Sequence, residues 1–235
     1  MRLLRLKIFQ ETACYQKPFA FKVGETYPLA PFSTVKGMLH SILEATEYIP
    51  MNLSIQGKSE SIIIDYSNKF MFKKASVQLP LNMDGLVLEI EPENVTTMPM
   101  YQHLLYNIEH VIHVETEESV LKRLYENLTT PTKTLSLGRW EDLVRIDEVC
   151  FVEAEETYNK VKTQMDLFVP RDIANQRKDL RGDIVKTYYR LTRKYEIIRG
   201  KRVWDYIPVA FLPSGQTFIN PVLFDSKYPV FLMKG

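Results

Sequence analysis

"PLAPFSTVKGMLHSILE", residues 28–44, sets two prolines, a Ser-Thr pair and a Lys-Gly pair against the start of an apolar repeat. Val35, Met38, Leu39, Ile42 and Leu43 follow the i, i+3, i+4, i+7, i+8 rule, so the stretch predicts an amphipathic helix with a stiff, proline-defined entry. Ser33 stands where an N-cap oxygen accepts from the first free backbone donors. Upstream, "RLLRLKIFQ" (2–10) puts Leu4, Leu6 and Ile8 on one face and Arg5 and Lys7 on the other, as a half-buried strand does. The segment between them (11–31) holds Pro18, Gly24, Pro28 and Pro31 without a period, and reads as an extended loop with some strand character.

Working outward, "SIIIDYSNKFMFKK" (61–74) and "HLLYNIEHVIHVE" (103–115) are rich in β-branched and aromatic residues and read as strands. The chain between them, with Pro80, Pro92 and Pro99, an Asp84-Gly85 turn signal and the short strand "LVLEI", is expected to project as an arm. "EESVLKRLYENL" (117–128) turns Val120, Leu121, Leu124, Tyr125 and Leu128 inward as a second helix. After the loop "TTPTKTLSLGRWEDL" (129–143), "VRIDEVCFVE" (144–153) is a fourth core strand. The order β-α-β-β-α-β is the ferredoxin-like plan of the α+β class, an antiparallel sheet carrying both helices on one face. It is expected over residues 1–153, with an insertion at about 68–102. Residues 154–235 form a β-hairpin-rich basic region whose long hairpin turns at Arg199-Gly200-Lys201.

Charge supports the division. The net charge of +1 hides an acidic middle and a basic end. No Lys or Arg lies between Lys74 and Lys122, where eight Asp and Glu occur, whereas residues 171–202 carry eleven basic residues against four acidic. A nucleic-acid role therefore rests on local segregation of charge. No apolar run reaches the length of a membrane span, and the basic start lacks a signal-peptide core, so a cytoplasmic protein without a membrane is expected. Two cysteines, Cys14 and Cys150, suit a reducing compartment and supply neither a disulfide framework nor a zinc site. Walker and dinucleotide fingerprints are absent, and carboxylate runs such as "EAEE" and "EIEPE" have no two-metal spacing; no cofactor and no metal are expected.

Two loops carry candidate chemistry. In a ferredoxin-like sheet the first helix begins at one end of the sheet, where its free N–H groups and positive end suit a phosphate. Ser33, Thr34, Lys36, Gly37 and His40 lie there, with Tyr15 and Lys17 in the preceding loop; the plainer alternative is a cap, a packing glycine and a solvated lysine. The second loop crowds together Lys133, Thr134, Ser136, Gly138, Arg139 and Trp140: hydroxyls, a glycine for close approach, a phosphate fork and a ring for stacking. Its alternative is an ordinary connection with Trp140 tucked into the core. The C-terminal hairpin interleaves Lys186, Arg190, Arg193, Lys194, Arg199, Lys201 and Arg202 with Tyr188, Tyr189, Tyr195, Trp204 and Tyr206. That composition fits a nucleic-acid strand or a solvated sheet edge equally.

Taken together, "PFSTVKGMLHSIL" and "LSLGRWEDLV" resemble the paired signatures of the fifth Cas family, the RAMP-superfamily subunit of type I CRISPR Cascade complexes, with type I-B the nearest variant. The resemblance spans the first strand through Glu153. It implies a noncatalytic RNA-binding subunit of an antiviral surveillance complex. Such a subunit holds the five-prime handle of the CRISPR RNA and caps the filament of backbone subunits. It also contacts the large subunit near the entry of target DNA. It implies too that the slot from Asn68 to Gln102 is a thumb, with Lys69, Lys73 and Lys74 at its base as phosphate contacts. One branch of the family, in type I-C systems, resembles a metal-independent ribonuclease that cuts the guide precursor with Tyr, Lys and His. Among His40, His103, His110 and His113, only His40 has a nearby Lys and upstream tyrosines, and no adjacent Lys-His pair occurs. Precursor processing is therefore the alternative.

Overall fold

The computed structural model describes residues 1–18, 20, 23–72, 95–180 and 185–234. In chain order its elements are β1 (Arg2–Ala13), β2 (Val23–Gly24), α1 (Phe32–Ile42), β3 (Asn52–Phe72), β4 (Val95–Glu115), α2 (Glu118–Thr129) and β5 (Arg145–Glu153). There follow β6 (Glu155–Thr157), β7 (Val161–Lys162), β8 (Asp166–Pro170), α3 (Arg171–Gln176), a 3-10 turn at Lys178–Leu180, β9 (Thr187–Ile198), β10 (Lys201–Leu212), β11 (Thr217–Phe218), β12 (Val222–Phe224) and β13 (Pro229–Val230). The architecture is mixed α+β around a mostly antiparallel sheet of order β5-β1-β4-β3-β8-β10-β9, with β2 alongside β4. No helix of the described residues is long and apolar enough to cross a membrane.

β1 sits between β4 and β5, antiparallel to both. Its alternation does what period two requires: Leu4, Leu6 and Ile8 are buried in the main core, with Val35, Leu39 and Ile42 of α1 and Val120, Leu121, Leu124 and Leu128 of α2. Removing those side chains from water, at about 25 cal/mol per Å² of apolar area, is what holds the helices to the sheet. Ser33 does not cap α1. The helix begins two residues earlier than such a cap would place it, at Phe32, with Pro31 as N-cap and no side-chain capping bond, and Pro31 O accepts from Thr34 N and Val35 N. A proline that presets φ places the entry, which leaves the Ser33 hydroxyl for a partner outside the helix.

β3 and β4 pair from Asn52↔Glu115 to Phe72↔Val95, so the ends of the expected insertion, residues 68–72 and 95–102, simply continue two long strands. Its centre, with the Asp84-Gly85 turn, "LVLEI", Lys73 and Lys74, lies outside the described residues. The C-terminal region shares the sheet: β8 pairs with β3 at Gln56↔Leu167 and Gly57↔Asp166, and β10 then pairs with β8 and β9. Gly57 is required here, because a Cβ would stand 2.6 Å from Glu109 O and 2.9 Å from Leu29 Cδ2. The β9–β10 hairpin closes through Arg199 and Gly200, at φ of 51° and 72°, the paired left-handed turn that the twist of a two-residue hairpin favours.

The sheet face opposite the helices is crossed by a strap, residues 225–233. Phe231 N donates to Ser54 Oγ at 3.0 Å, and Leu53 and Met233 exchange two backbone bonds. The strap is keyed by Asp225, which accepts from Arg5 Nη1 at 2.8 Å, lies 2.8 Å from His113 Nε2, and takes Lys227 N and Tyr228 N on its other oxygen. Burial alone would raise this carboxyl, but the bonds from His113, Tyr228 N and Arg5 outweigh it and hold it well below its ordinary value. A depressed carboxylate stabilises the fold above the unfolded value near 3.8 and loses that contribution as pH falls below it. Asp225→Asn is expected to cost roughly 2–4 kcal/mol at pH 7 and to flatten the acid limb of stability against pH. Urea melts between pH 7 and pH 3 that superimpose for the two proteins would contradict the keyed strap.

Candidate nucleic-acid interface

The loop after α2 is fixed by one carboxylate. Asp142, fully buried, accepts from Cys14 N at 3.0 Å and from Arg139 N at 2.8 Å, and its Oδ1 lies 2.6 Å from Arg139 Nη2. Gln10 Nε2 donates to both Leu137 O and Asp142 O, and Tyr15 OH closes the set on Gln10 Oε1 at 2.6 Å. The turn is tight enough to demand Gly138: its φ is +113°, and a Cβ would lie 2.7 Å from Asp142 Oδ2. Arg139 is therefore a structural clamp in this chain. Its guanidinium also reaches Gln102 Oε1 and Glu141 Oε1, and although burial opposes its charge, the Asp142 bonds keep it protonated. The next residue behaves oppositely: Trp140 is 86% exposed, a ring held out in solvent by an anchored loop.

That loop faces the first turns of α1. Ser33, Thr34 and Gly37 line a cleft of about 330 Å³ with Thr134, Ser136 and Gly138. It continues around the N-terminus of α1 into a second cleft of about 460 Å³ that reaches Thr192, Trp204 and Tyr206 on the C-terminal hairpin. Gly37 is exposed and a Cβ on it would meet nothing within 4 Å, so packing does not require it and the space beside it belongs to the cleft. Ser33 Oγ bonds Thr192 Oγ1 at 2.5 Å, tying the helix entry to β9. The two loops singled out in the sequence thus meet, and the basic hairpin closes the third side.

On that side the electrostatics are unusual. Lys36 is only 4% exposed, with Nζ 3.2 Å from Tyr48 OH. Burial, and then Arg193 and Lys194, push its ammonium down from 10.5 to about 8, opposed by Asp205. The register of β9 against β10 slips here: Asp205 faces Lys194 and Tyr206 faces Thr192, leaving Arg193 as the unpaired residue of a bulge, turned onto Asp205. A register slip between two strands has no sequence signal in either one, so the meeting of Arg193 and Lys194 with Lys36 was not legible.

The remaining candidates are distributed as follows. Tyr15 is buried, its hydroxyl pushed up first by desolvation and its ring edge-on to His110, so it supports the loop from inside. Lys17 pairs with Glu25 and Lys133 with Glu44 on the surface. Lys186 donates to Leu180 O, and Arg190 stacks 4.2 Å over the Tyr206 ring. Lys69 lies in β3, far along the extended hairpin. His40 has both nitrogens engaged: Ile49 N donates to Nε2 at 2.9 Å, so Nδ1 carries the proton given to Lys36 O at 2.8 Å. His110 is buried, pushed down to about 4 by desolvation, and accepts from Ala30 N; His113 is the buried partner of Asp225. Among the described residues no group of His, Cys, Asp and Glu is arranged to hold a metal ion.

Comparison with known proteins gives the family and the fold. Residues 3–200 match the family described as CRISPR-associated protein (Cas_Cas5). No match was found among curated proteins. A chain of a solved CRISPR RNA-guided surveillance complex has a similar fold, with a TM-score of 0.54 at 12% identity over 92% of this chain and 91% of that one. A crystal structure of a CRISPR protein from Archaeoglobus fulgidus aligns over the whole of both chains at 11% identity and a TM-score of 0.45.

Lys36 gives a test of the site's electrostatics. Below about pH 8 the folded and unfolded states both carry the ammonium, and the folded state bears its desolvation; from about 8 to 10.5 the folded lysine is neutral first, so stability rises through that window. Lys36→Met is expected to stabilise the protein by roughly 1–3 kcal/mol at pH 7 and to remove the rise in that window. A destabilised variant at pH 7 would mean that the ammonium gains more from its surroundings than burial costs it.

Proposed function

Because the chain belongs to the Cas5 family of CRISPR-associated proteins, we propose that it is a noncatalytic RNA-binding subunit of a type I CRISPR effector complex, of the I-B kind. Its role is to hold the five-prime handle of the guide RNA in the cleft around the first turns of α1. The observation that carries this reading is the open space at Gly37, walled by the hydroxyls of the first turn of α1 and of the 131–144 loop, and continuous through the cleft around Ser33 and Thr34 with the basic hairpin. Free N–H groups at the helix start and the hydroxyls of Ser33, Thr34, Thr134 and Ser136 suit phosphates and riboses, and the exposed Trp140 ring suits an unstacked base. Arg139 acts by shaping the loop. The saturated ring of His40 favours the noncatalytic reading over precursor processing, because it leaves no free nitrogen to move a proton.

The finer features follow from the same reading. The strand order β5-β1-β4-β3, with α1 and α2 between strands, fits a ferredoxin-like RAMP unit, and the extended β3–β4 hairpin fits a thumb over residues 68–102 with Lys69, Lys73 and Lys74 as phosphate contacts. Lys17, Lys133, Lys186, Arg190 and Arg193 would add outer phosphate contacts. The partners would be the crRNA, the backbone and large subunits, and target DNA nearby, in the cytoplasm.

Incubation of the protein with labelled repeat RNA and with the mature handle, without metal, is expected to give handle binding on native gels and no cleavage on denaturing gels; specific cutting of the repeat would overturn the noncatalytic role. Trp140→Ala is expected to leave melting unchanged and weaken handle binding about tenfold, in line with the ~1–3 kcal/mol of one base stacked on an aromatic ring. Arg139→Ala should lower both the melting temperature and the affinity. Unchanged binding by Trp140→Ala would contradict the placement of a base on that ring.

A further inference from the structure

On the neighbouring face of α1, an adjoining pocket of about 350 Å³, which shares Ser33 and Gly37 with the cleft against the 131–144 loop, opens between Lys36, Gly37 and His40 of the helix, the Thr46–Tyr48 turn and Arg193, Lys194, Tyr195 and Trp204 of the hairpin. Tyr48 anchors it: its ring stacks on His40, and the ammonium groups of Lys36 and Lys194 each stand 5.7 Å from its centroid. Arg193 is neutralised by Asp205. Neither Lys36 nor Lys194 forms an ion pair among the described residues, and Glu47 is the one carboxylate of the lining. Two lysines against one glutamate leave a single unbalanced positive charge, which matches one phosphodiester; a terminal phosphate carries nearly twice that charge at neutral pH. Across the pocket the exposed rings of Tyr195 and Trp204 meet edge to face with centroids 5.2 Å apart, and with the Arg202 guanidinium 4.8 Å over the Tyr195 ring they form an aromatic wall whose Trp204 ring suits a stacked base.

A buried ammonium that costs stability, set beside a second unpaired ammonium and an aromatic wall, has the parts of a nucleotide site and exceeds what packing needs. We propose that this pocket receives a single nucleotide turned out of the bound RNA strand, its phosphodiester held between Lys36 and Lys194 and its base set against Tyr195 and Trp204. Glu47 and the backbone of its turn stand where they can meet the base edge. The inference rests on the RNA-binding reading above and adds to it a second station on the neighbouring face of α1. The strand would pass around the helix entry, where the cleft at Trp204 joins both sides.

The test is an abasic walk. Single-stranded handle RNA carrying one abasic residue, moved position by position, is titrated against the full chain. One position distinct from that stacked on Trp140 should weaken binding about tenfold. Trp204→Ala should erase the penalty at that position alone, and Lys36→Met should weaken the intact RNA by a similar factor while the protein stays folded. Tight binding of intact RNA with the same abasic profile in wild type and Trp204→Ala would overturn the pocket and leave the handle reading standing. Failure of the intact RNA to bind at all would overturn the handle reading, and the pocket with it. Saturable binding of adenosine monophosphate at the pocket, with no position-dependent penalty in RNA, would assign it to a free nucleotide and likewise contradict the proposal.

Discussion

The buried carboxylate of Asp142 is the constraint on which the candidate interface depends. It joins the end of β1 to the loop after α2, through Cys14 N, Arg139 N and the Arg139 guanidinium. With those donors satisfied, a loop of small and polar residues becomes a rigid wall, and Trp140 can stand in solvent without the loop collapsing around it. Arg139, the charged residue of this loop, is consumed in building the site. The ring beside it is what remains to be bound.

Opposite that wall the site is organised by the reverse situation, a charge that is not satisfied. Lys36 sits in the protein with one neutral hydroxyl partner and two cations for neighbours, which works against folding. Natural chains keep such costs where function requires them, because binding of an anion recovers what folding lost. The two walls thus have different physics: one is rigid because the Asp142 carboxylate and the donors it gathers are paired, and the other attracts because its positive charge is not. α1, entered through Pro31 and open at Gly37, lies between them.

Much of this was legible from residue patterns. The alternation of Leu4, Leu6 and Ile8 fixed the face of β1, and the apolar repeats of residues 35–43 and 120–128 fixed two helices, because burial of one face depends on period alone. The turn at Arg199-Gly200 was legible because few residues adopt left-handed backbone. The two glycine-bearing loops were legible as candidates, but the roles of individual residues were not. Asp142 stands three residues after Arg139, and that spacing in a tight turn was the signal that the guanidinium had a local partner. Lys36 could not be read as buried, since the hairpin that covers it lies more than 150 residues downstream and is aimed by a bulge. The strap keyed by Asp225 was equally hidden: its partners Arg5 and His113 are brought to it by strand register, which no local pattern encodes.

The central claim is that an RNA strand lies around the first turns of α1, between Trp140 and the β9–β10 hairpin. Ultraviolet crosslinking of handle RNA to the full chain, followed by mass-spectrometric mapping of the modified residues, tests it most directly. The account predicts crosslinks at Trp140 and at Tyr195 or Trp204. Crosslinks confined to the strap over residues 225–233, or to the outer edge of β5, would contradict it.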